Sequence, residues 1–236
     1  MKTWTMLPLR QQTFALAVVF LICAGGGLSG CASLLPKPVA APTLYTLESK
    51  ATPATALPSN ALEKTTAKAR VTLVVNTPRA DAGFDSPHIM YVREPYKLEY
   101  FVHSEWVDTP ARMLLPMVVS SVDRAGAFKA VVPATIAATG ELTLDTEIVR
   151  LQQDFSVQPS RVVFTLRAYL VDAQTQKTIV WRELEAVVAA ASDDPYGGVL
   201  AANRAVQIAL QQVADFCVEA EKLWHTSRLD ATSPTK

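Results

Sequence analysis

The chain has 236 residues, of which 50% are hydrophobic and 19% are charged, and its formal net charge at pH 7 is zero. These proportions are typical of a globular protein with a substantial core. A balanced charge gives no reason to expect nucleic-acid binding or electrostatic attraction to an anionic membrane, because both require an excess of basic residues.

The N-terminal segment has the layout of a secretory signal. Lys2 and Arg10 supply positive charge before an eleven-residue apolar run, FALAVVFLICA, at 14–24. A membrane-spanning helix needs roughly 20 apolar residues, so a run of this length suits the core of a signal peptide. We therefore predict a signal peptide over residues 1–30.

The segment Leu28-Ser29-Gly30-Cys31 resembles a bacterial lipobox. Small residues let an extended backbone enter a peptidase, and the thiol that follows them can be acylated. This pattern predicts cleavage between Gly30 and Cys31 and a lipid such as palmitate on Cys31. The alternative is an ordinary secretory signal that contains a chance cysteine.

The predicted mature chain has 206 residues, because 30 of the 236 are removed. Its net charge is −2, since 20 basic and 22 acidic residues remain. Cys23 leaves with the signal and Cys31 carries the lipid, so no intramolecular disulfide is expected. Cys217 lies in a helical pattern, where we predict a small buried hydrophobe.

A stalk and two strands open the mature chain. Residues 31–42 hold three prolines, which predict a semi-rigid stalk. A short strand is predicted at 44–47, followed by an Ala/Thr/Pro-rich loop at 49–69. The β-branched run at 70–76 predicts a buried strand.

A hairpin is predicted next, with arms at 88–92 and 96–103 around the turn 93–95. The second arm alternates between two faces, one of them more apolar than the other. Residues 104–108 then lead into a helix.

The start and end of this helix have clear signals. Thr109 is placed to cap it, Pro110 suits its first position, and Gly126 can end it in the left-handed conformation. Its predicted inner face contains Met113, Leu114, Met117, Val118, Ser121 and Val122. Pro116 lies inside the pattern and predicts a kink or a later start.

Four further strands are predicted, at 128–132, 141–151, 161–171 and 178–189. The last three alternate in polarity and are predicted to form an antiparallel meander. The apolar phase of the first long strand changes near Val149, which indicates a bulge.

An amphipathic helix is predicted from Pro195 to about Trp224, followed by a polar, disordered tail at 225–236. This order of elements favours an α+β fold, with a mainly antiparallel or mixed sheet and two helices packed on one face. A single domain over 43–224 is therefore expected.

No catalytic motif is apparent in the sequence. The mature chain has no Walker loop, dinucleotide fingerprint, G-x-S-x-G, H-E-x-x-H or paired C-x-x-C. His88 and His103 could approach each other at the open end of the hairpin, but a third metal ligand is lacking and His225 is distant. Proximity of Asp85 and Ser86 to His88 does not make a triad. We predict no enzyme activity, cofactor or metal.

One cluster indicates a partner interface. Phe84, Asp85 and Ser86 lie in a loop, and Trp106 and Asp108 lie at a strand–helix junction. Aromatic residues in such places often anchor interfaces. The alternative, equally weighted, is that Trp106 only plugs the base of the hairpin while the aspartates cap nearby N–H groups.

Three further motifs accompany the lipobox and the stalk. They are Tyr-Thr-Leu at 45–47, Asp-Ser-Pro-His-Ile-Met-Tyr at 85–91 and Trp-Val-Asp-Thr-Pro at 106–110. This layout resembles the ABC-type transport auxiliary lipoproteins, which accompany MCE-domain lipid transporters of Gram-negative envelopes. Thr46 stands where a second aromatic is common, and Pro116 interrupts the first helix.

The resemblance, which covers 43–224, implies a fold similar to the TolB N-terminal domain and a non-enzymatic periplasmic role. It implies a docking or scaffold component that works with a permease, an ATPase and an MCE-domain protein to move hydrophobic molecules. It also implies assembly as a homo-oligomeric ring and, since Ala32 rather than Asp follows Cys31, an outer-membrane anchor facing the periplasm. The alternatives are another envelope-assembly or cell-wall-activator lipoprotein, or a periplasmic hydrolase using His88 or His103.

Overall fold

A nine-stranded mixed sheet and two helices make up the part of the chain that the structure, a computed structural model, describes: residues 40–48, 71–136 and 138–232. The strands are β1 (Thr43–Tyr45), β2 (Thr72–Val75), β3 (Arg79–Ala80), β4 (His88–Val92), β5 (Leu98–Trp106), β6 (Ala130–Pro133), β7 (Leu142–Asp154), β8 (Arg161–Asp172) and β9 (Lys177–Ala189). The helices are α1 (Pro110–Arg124) and α2 (Pro195–Thr232), with a 3₁₀ turn at Ala134–Ile136. The predicted signal peptide, Gly30, Cys31, most of the stalk and the 49–69 loop lie outside the described residues.

Strand β7 organises the sheet. One of its edges pairs antiparallel with β8, which pairs antiparallel with β9. Its other edge pairs in parallel with β2, β3 and β4, one after another along its length. Strand β6 extends the sheet beyond β2, while β5 and then β1 extend it beyond β4. The predicted mixed sheet and antiparallel meander are confirmed, whereas the two-residue β3 was not predicted.

The core lies between the sheet and the two helices, so the predicted α+β architecture is confirmed. Alternate residues of β8 face this core and are at most 2% exposed: Val162, Phe164, Leu166, Ala168 and Leu170. The helices also contact each other, where Ser121 Oγ donates a 3.0 Å hydrogen bond to the carbonyl of Leu210. Met113, predicted to face inward, is only half-buried.

The bulge predicted near Val149 is confirmed. The pairing of β7 with β8 shifts register between Ile148 and Arg150. Leu144 and Ile148 are buried before the shift and Leu151 after it. The extra residue lets both halves of a thirteen-residue strand present apolar side chains to the same core.

Helix α1 starts at Pro110, as predicted, although the Thr109 side chain makes no capping hydrogen bond. Gly126 has φ of 67°, which confirms the left-handed end. The helix continues through Pro116, so the predicted later start is wrong. Pro116 is exposed, so its ring occupies the solvent side and does not disturb the packed face.

Helix α2 has 38 residues and ends at Thr232, so the predicted tail boundary after Trp224 is wrong. Near its end the helix has one contact within itself and one contact to the β8–β9 turn, which a sequence pattern does not reveal. Arg228 stacks 4.7 Å from the centre of the Trp224 ring and donates a 3.0 Å hydrogen bond to Gln174 Oε1. No helix within the described residues is both long and apolar enough to cross a membrane.

Candidate partner-docking junction

Backbone pairing brings the three motif segments together at one end of the sheet. Tyr45 of β1 pairs in register with Trp106 of β5. The Trp106 N–H donates a 2.7 Å hydrogen bond to the carbonyl of Pro87, and the Val107 N–H donates one of 2.8 Å to the carbonyl of Tyr45. Residues 45–47, 85–91 and 106–110 therefore form one structural unit, which we call the motif junction.

Trp106 is the internal support of the motif junction. Its side chain is 3% exposed and belongs to the main hydrophobic core. Burial of a side chain this large stabilises the fold and leaves little surface for a partner. This burial favours the plug at the hairpin base, and it leaves the Trp106 side chain little surface for direct contact with a partner.

The loop residues of the candidate interface differ in exposure. Phe84 is half-buried against the core, and its N–H donates a 2.7 Å hydrogen bond to the carbonyl of Asp81. Asp85 is exposed. Ser86 Oγ accepts a 3.3 Å hydrogen bond from the backbone N–H of His88. Asp85 is thus exposed on a short turn that is held by hydrogen bonds within the loop.

Asp108 organises the start of helix α1. Its Oδ1 accepts a 2.8 Å hydrogen bond from the Thr109 N–H, and its Oδ2 lies 3.3 Å from Nε of Arg112. The carboxylate therefore satisfies a backbone donor where the helix begins, which is the capping role that the alternative interpretation gave it. The sequence did not single out Val107, which lies between Trp106 and Asp108 and is 54% exposed.

A family model described as "ABC-type transport auxiliary lipoprotein component" matches residues 45–214. The chain belongs to this family. The match includes the motif junction and the first half of α2, and it confirms the resemblance that the motifs indicated. By this description, members are lipoproteins that serve as auxiliary components of ABC-type transport.

Solved structures share the fold of this auxiliary lipoprotein. A DUF330 protein from Xanthomonas campestris has a TM-score of 0.64 and 20% identity, over 81% of this chain and 99% of that one. An uncharacterized protein has a TM-score of 0.56 and 12% identity, over 76% and 99%. The PelC dodecamer from Paraburkholderia phytofirmans has a TM-score of 0.35 and 11% identity over 59% and 85%, too distant for conclusions about assembly. No curated protein matches the chain.

The histidines of the auxiliary lipoprotein have local contacts. The His88 ring stacks on Tyr100 with centroids 4.3 Å apart, and its Nδ1 lies 3.4 Å from Glu105 Oε1 without hydrogen-bond geometry. His103 is exposed, and His225 Nε2 lies 3.6 Å from Glu221 Oε1. Among the described residues, no three His, Cys, Asp or Glu side chains are grouped as metal ligands.

The apolar face of β5 points to solvent beside the motif junction. Leu98, Tyr100 and Val102 are 40%, 48% and 66% exposed. The pairing of β4 with β5 shifts register between His88 and Met90, and the buried Trp106 lies on the far side of that shift. Alternation in the sequence therefore identified an apolar face of β5 but not the side on which it lies.

Two buried groups of the auxiliary lipoprotein lie away from the junction. Burial raises the pKa of the Cys217 thiol to about 12, which confirms its role as a small buried hydrophobe. A hydrogen bond from the Trp224 indole, followed by N–H groups of the β8–β9 turn, lowers the pKa of Asp172. The hydrogen bond between Trp224 and Asp172 joins α2 to the sheet.

Proposed function

We propose that this chain is a lipid-anchored periplasmic docking subunit of an ABC transport system that moves lipids together with an MCE-domain protein. Membership in the auxiliary lipoprotein family supports association with an ABC-type system and with the cell envelope. The Leu28–Cys31 lipobox supports a lipid on Cys31 after cleavage at Gly30. Ala32, where Asp would favour retention in the inner membrane, supports an outer-membrane anchor facing the periplasm.

The observation that carries the docking role is the motif junction. Three segments distant in sequence are hydrogen-bonded into one rigid unit over the buried Trp106, and their outer side presents Asp85 and Val107. Residues held on a rigid scaffold bind a partner without paying much to become ordered. We therefore assign the partner contact to this outer side, with Phe84, Ser86 and Asp108 shaping it.

The experiment is co-purification of the full lipoprotein with its MCE-domain partner, the permease and the ATPase. Val107→Asp places a charge on the proposed contact and should weaken retention about tenfold or more, as loss of a hot-spot residue does. Val187→Asp is the matched control, because Val187 on β9 is 46% exposed and Val107 is 54% exposed. Equal retention of the two variants by the partner would refute the assignment.

The anchor is tested separately. Cys31→Ala should leave a folded domain that no longer supports transport at normal abundance, because one covalent attachment sets its distance from the membrane. A fully active, unanchored variant would overturn the anchor's role. Ring assembly, which the family resemblance implies, stays a prediction that native mass spectrometry of the detergent-solubilised chain can check.

A further inference from the structure

An open groove runs between the edge strand β1 and the first turns of helix α2. Its volume is about 670 Å³. This lies inside the range of roughly 300–1,000 Å³ that small-molecule sites occupy in proteins. The groove shares Tyr45 and Thr46 with the motif junction, but none of its lining residues belongs to the 85–91 or 106–110 segments.

One half of the groove is apolar and open to solvent. Leu44, Tyr196 and Leu200 are 59%, 57% and 46% exposed. The Tyr196 ring also lies against Tyr45, with centroids 6.4 Å apart. Three large apolar side chains left in water within one concave surface indicate a ligand with an apolar body.

The floor of the groove is held by one side chain. Asn203 Nδ2 donates hydrogen bonds of 3.2 Å to the carbonyl of Thr46 and 3.0 Å to that of Val199. Its Oδ1 accepts a 2.7 Å hydrogen bond from the Glu48 N–H. Asn203 therefore ties the end of β1 to α2, so the groove keeps its shape without a ligand.

The other half of the groove carries one charge of each sign. Arg204 donates a long 3.4 Å hydrogen bond to Gln207 Oε1 and has no ion pair with any part of the chain that the structure describes. Glu48 is the lining carboxylate, and its side chain is exposed. A cation and an anion that do not neutralise each other leave both charges available to a ligand.

We infer that this groove binds a phospholipid with an amine-bearing headgroup. One acyl chain would lie on Leu44, Tyr196 and Leu200, the phosphate would pair with Arg204, and the ammonium would pair with Glu48. The match is one of charge and polarity, because a zwitterionic head complements a site with one charge of each sign. This inference rests on the proposed lipid-transport function and extends it, since a docking subunit need not touch the cargo.

The first experiment captures the ligand in place. The full chain is produced with p-benzoylphenylalanine replacing Leu200, in cells grown with ³²P-phosphate, and irradiated. The matched control carries the same group in place of Leu223, which lies on the same helix and is 58% exposed. We expect at least fivefold more ³²P-lipid on the position-200 protein, identified by mass spectrometry as an amine-bearing phospholipid. Equal labelling at both positions, or a cross-link only to protein, including this chain itself, would overturn the inference.

The second experiment tests the headgroup. The full lipoprotein with the probe at position 200 is reconstituted into vesicles of phosphatidylethanolamine or of phosphatidylglycerol with the same acyl chains. Arg204→Gln should lower cross-linking at least fivefold in both, whereas Glu48→Gln should lower it only with phosphatidylethanolamine. Arg124→Gln, an exposed arginine of α1, is the control. If Arg204→Gln behaves like Arg124→Gln, the assigned phosphate contact is wrong.

Failure of this inference can be told from failure of the docking proposal. Retention of the MCE-domain partner is measured on the same cells and the same variants. Loss of lipid labelling with retained partner refutes the groove as a lipid site and leaves docking intact. Retained labelling in a chain that never co-purifies with the transport proteins refutes the docking proposal instead.

Discussion

Trp224 Nε1 donates a 2.8 Å hydrogen bond to Asp172 Oδ2, and this bond joins helix α2 to the turn between β8 and β9. Asp172 Oδ1 accepts hydrogen bonds from the N–H groups of Gln174 and Thr175 at the same turn. Trp224 is 5% exposed and Asp172 is 8% exposed. One carboxylate therefore shapes the turn and holds the helix across the sheet.

We expect Trp224→Phe to lower the free energy of unfolding by about 1–3 kcal/mol, because it leaves a buried carboxylate oxygen without its donor. Urea denaturation followed by circular dichroism measures this. Trp181→Phe is the control, since Trp181 is 58% exposed, and it should change the value by about 0.5 kcal/mol or less. Equal effects would show that the indole N–H contributes nothing.

The same carboxylate predicts a pH dependence. Hydrogen bonds from Trp224 and the turn lower the pKa of Asp172 below its ordinary value of 3.8. The unfolded chain then binds a proton at higher pH than the folded one, so the stabilisation is complete above the ordinary pKa and is lost as pH falls through the lower folded value. The stability gap between wild type and Asp172→Asn should therefore narrow below about pH 4. A difference in the free energy of unfolding that stays constant from pH 7 down to the lowest pH at which both proteins are folded would contradict this.

The buried position of Trp106 predicts a stability effect rather than a binding effect. Trp106→Ala should lower the free energy of unfolding by about 3–5 kcal/mol, because it opens a cavity in the core. Val107→Ala, at the exposed neighbour, should cost about 0.5 kcal/mol or less. Thermal unfolding of both variants provides the comparison. If Trp106→Ala lowers the free energy of unfolding no more than Val107→Ala does, the Trp106 side chain is not a core residue.

A close contact between α2 and β7 predicts coupling between two positions. A Cβ at Gly198 would clash with Oε1 of Gln153, whose Nε2 donates a 2.9 Å hydrogen bond to Ser160 Oγ. Gly198→Ala should therefore destabilise the fold by about 1–3 kcal/mol through overpacking. Adding Gln153→Ala should recover part of that loss, which a double-mutant cycle measures. If the effects of the two substitutions on the free energy of unfolding are strictly additive, the side chains at 198 and 153 are not in steric conflict.

The buried thiol predicts low reactivity. Cys217 is fully buried and its pKa is raised to about 12, so the native chain holds almost no thiolate there at pH 8. Maleimide labelling of the peptide that contains Cys217 should proceed only as the chain unfolds in urea. Labelling of the native protein at the rate of a free cysteine would contradict this.

Much of the fold follows from local patterns in the sequence. The phase change near Val149 predicted the bulge, and Pro110 and Gly126 marked the ends of α1. These features depend on side-chain alternation and on allowed backbone angles within a few residues. A single sequence contains that information directly, and the motifs also sufficed to indicate the family.

Contacts between segments that are far apart in the sequence decided which face of each strand is buried and which is exposed. Parallel pairing of β1 with β5 placed Tyr45 beside Trp106 and made a junction from three separate motifs. A register shift in the β4–β5 pair turned the apolar face of β5 to solvent while Trp106 entered the core. The groove beside β1 likewise exists because Asn203 reaches across 157 residues to the carbonyl of Thr46.

Sequence by itself thus determined the order of the elements other than β3, their alternation and the start and end of helix α1, because those depend on near neighbours along the chain. The tertiary structure alone decided that Trp106 is buried, that Val107 and Asp85 are exposed, and that α2 extends to Thr232. Burial depends on which strands pair and which helix covers them. The pairing and packing of distant segments minimise the exposed apolar surface of the whole domain, and no local sequence pattern encodes them.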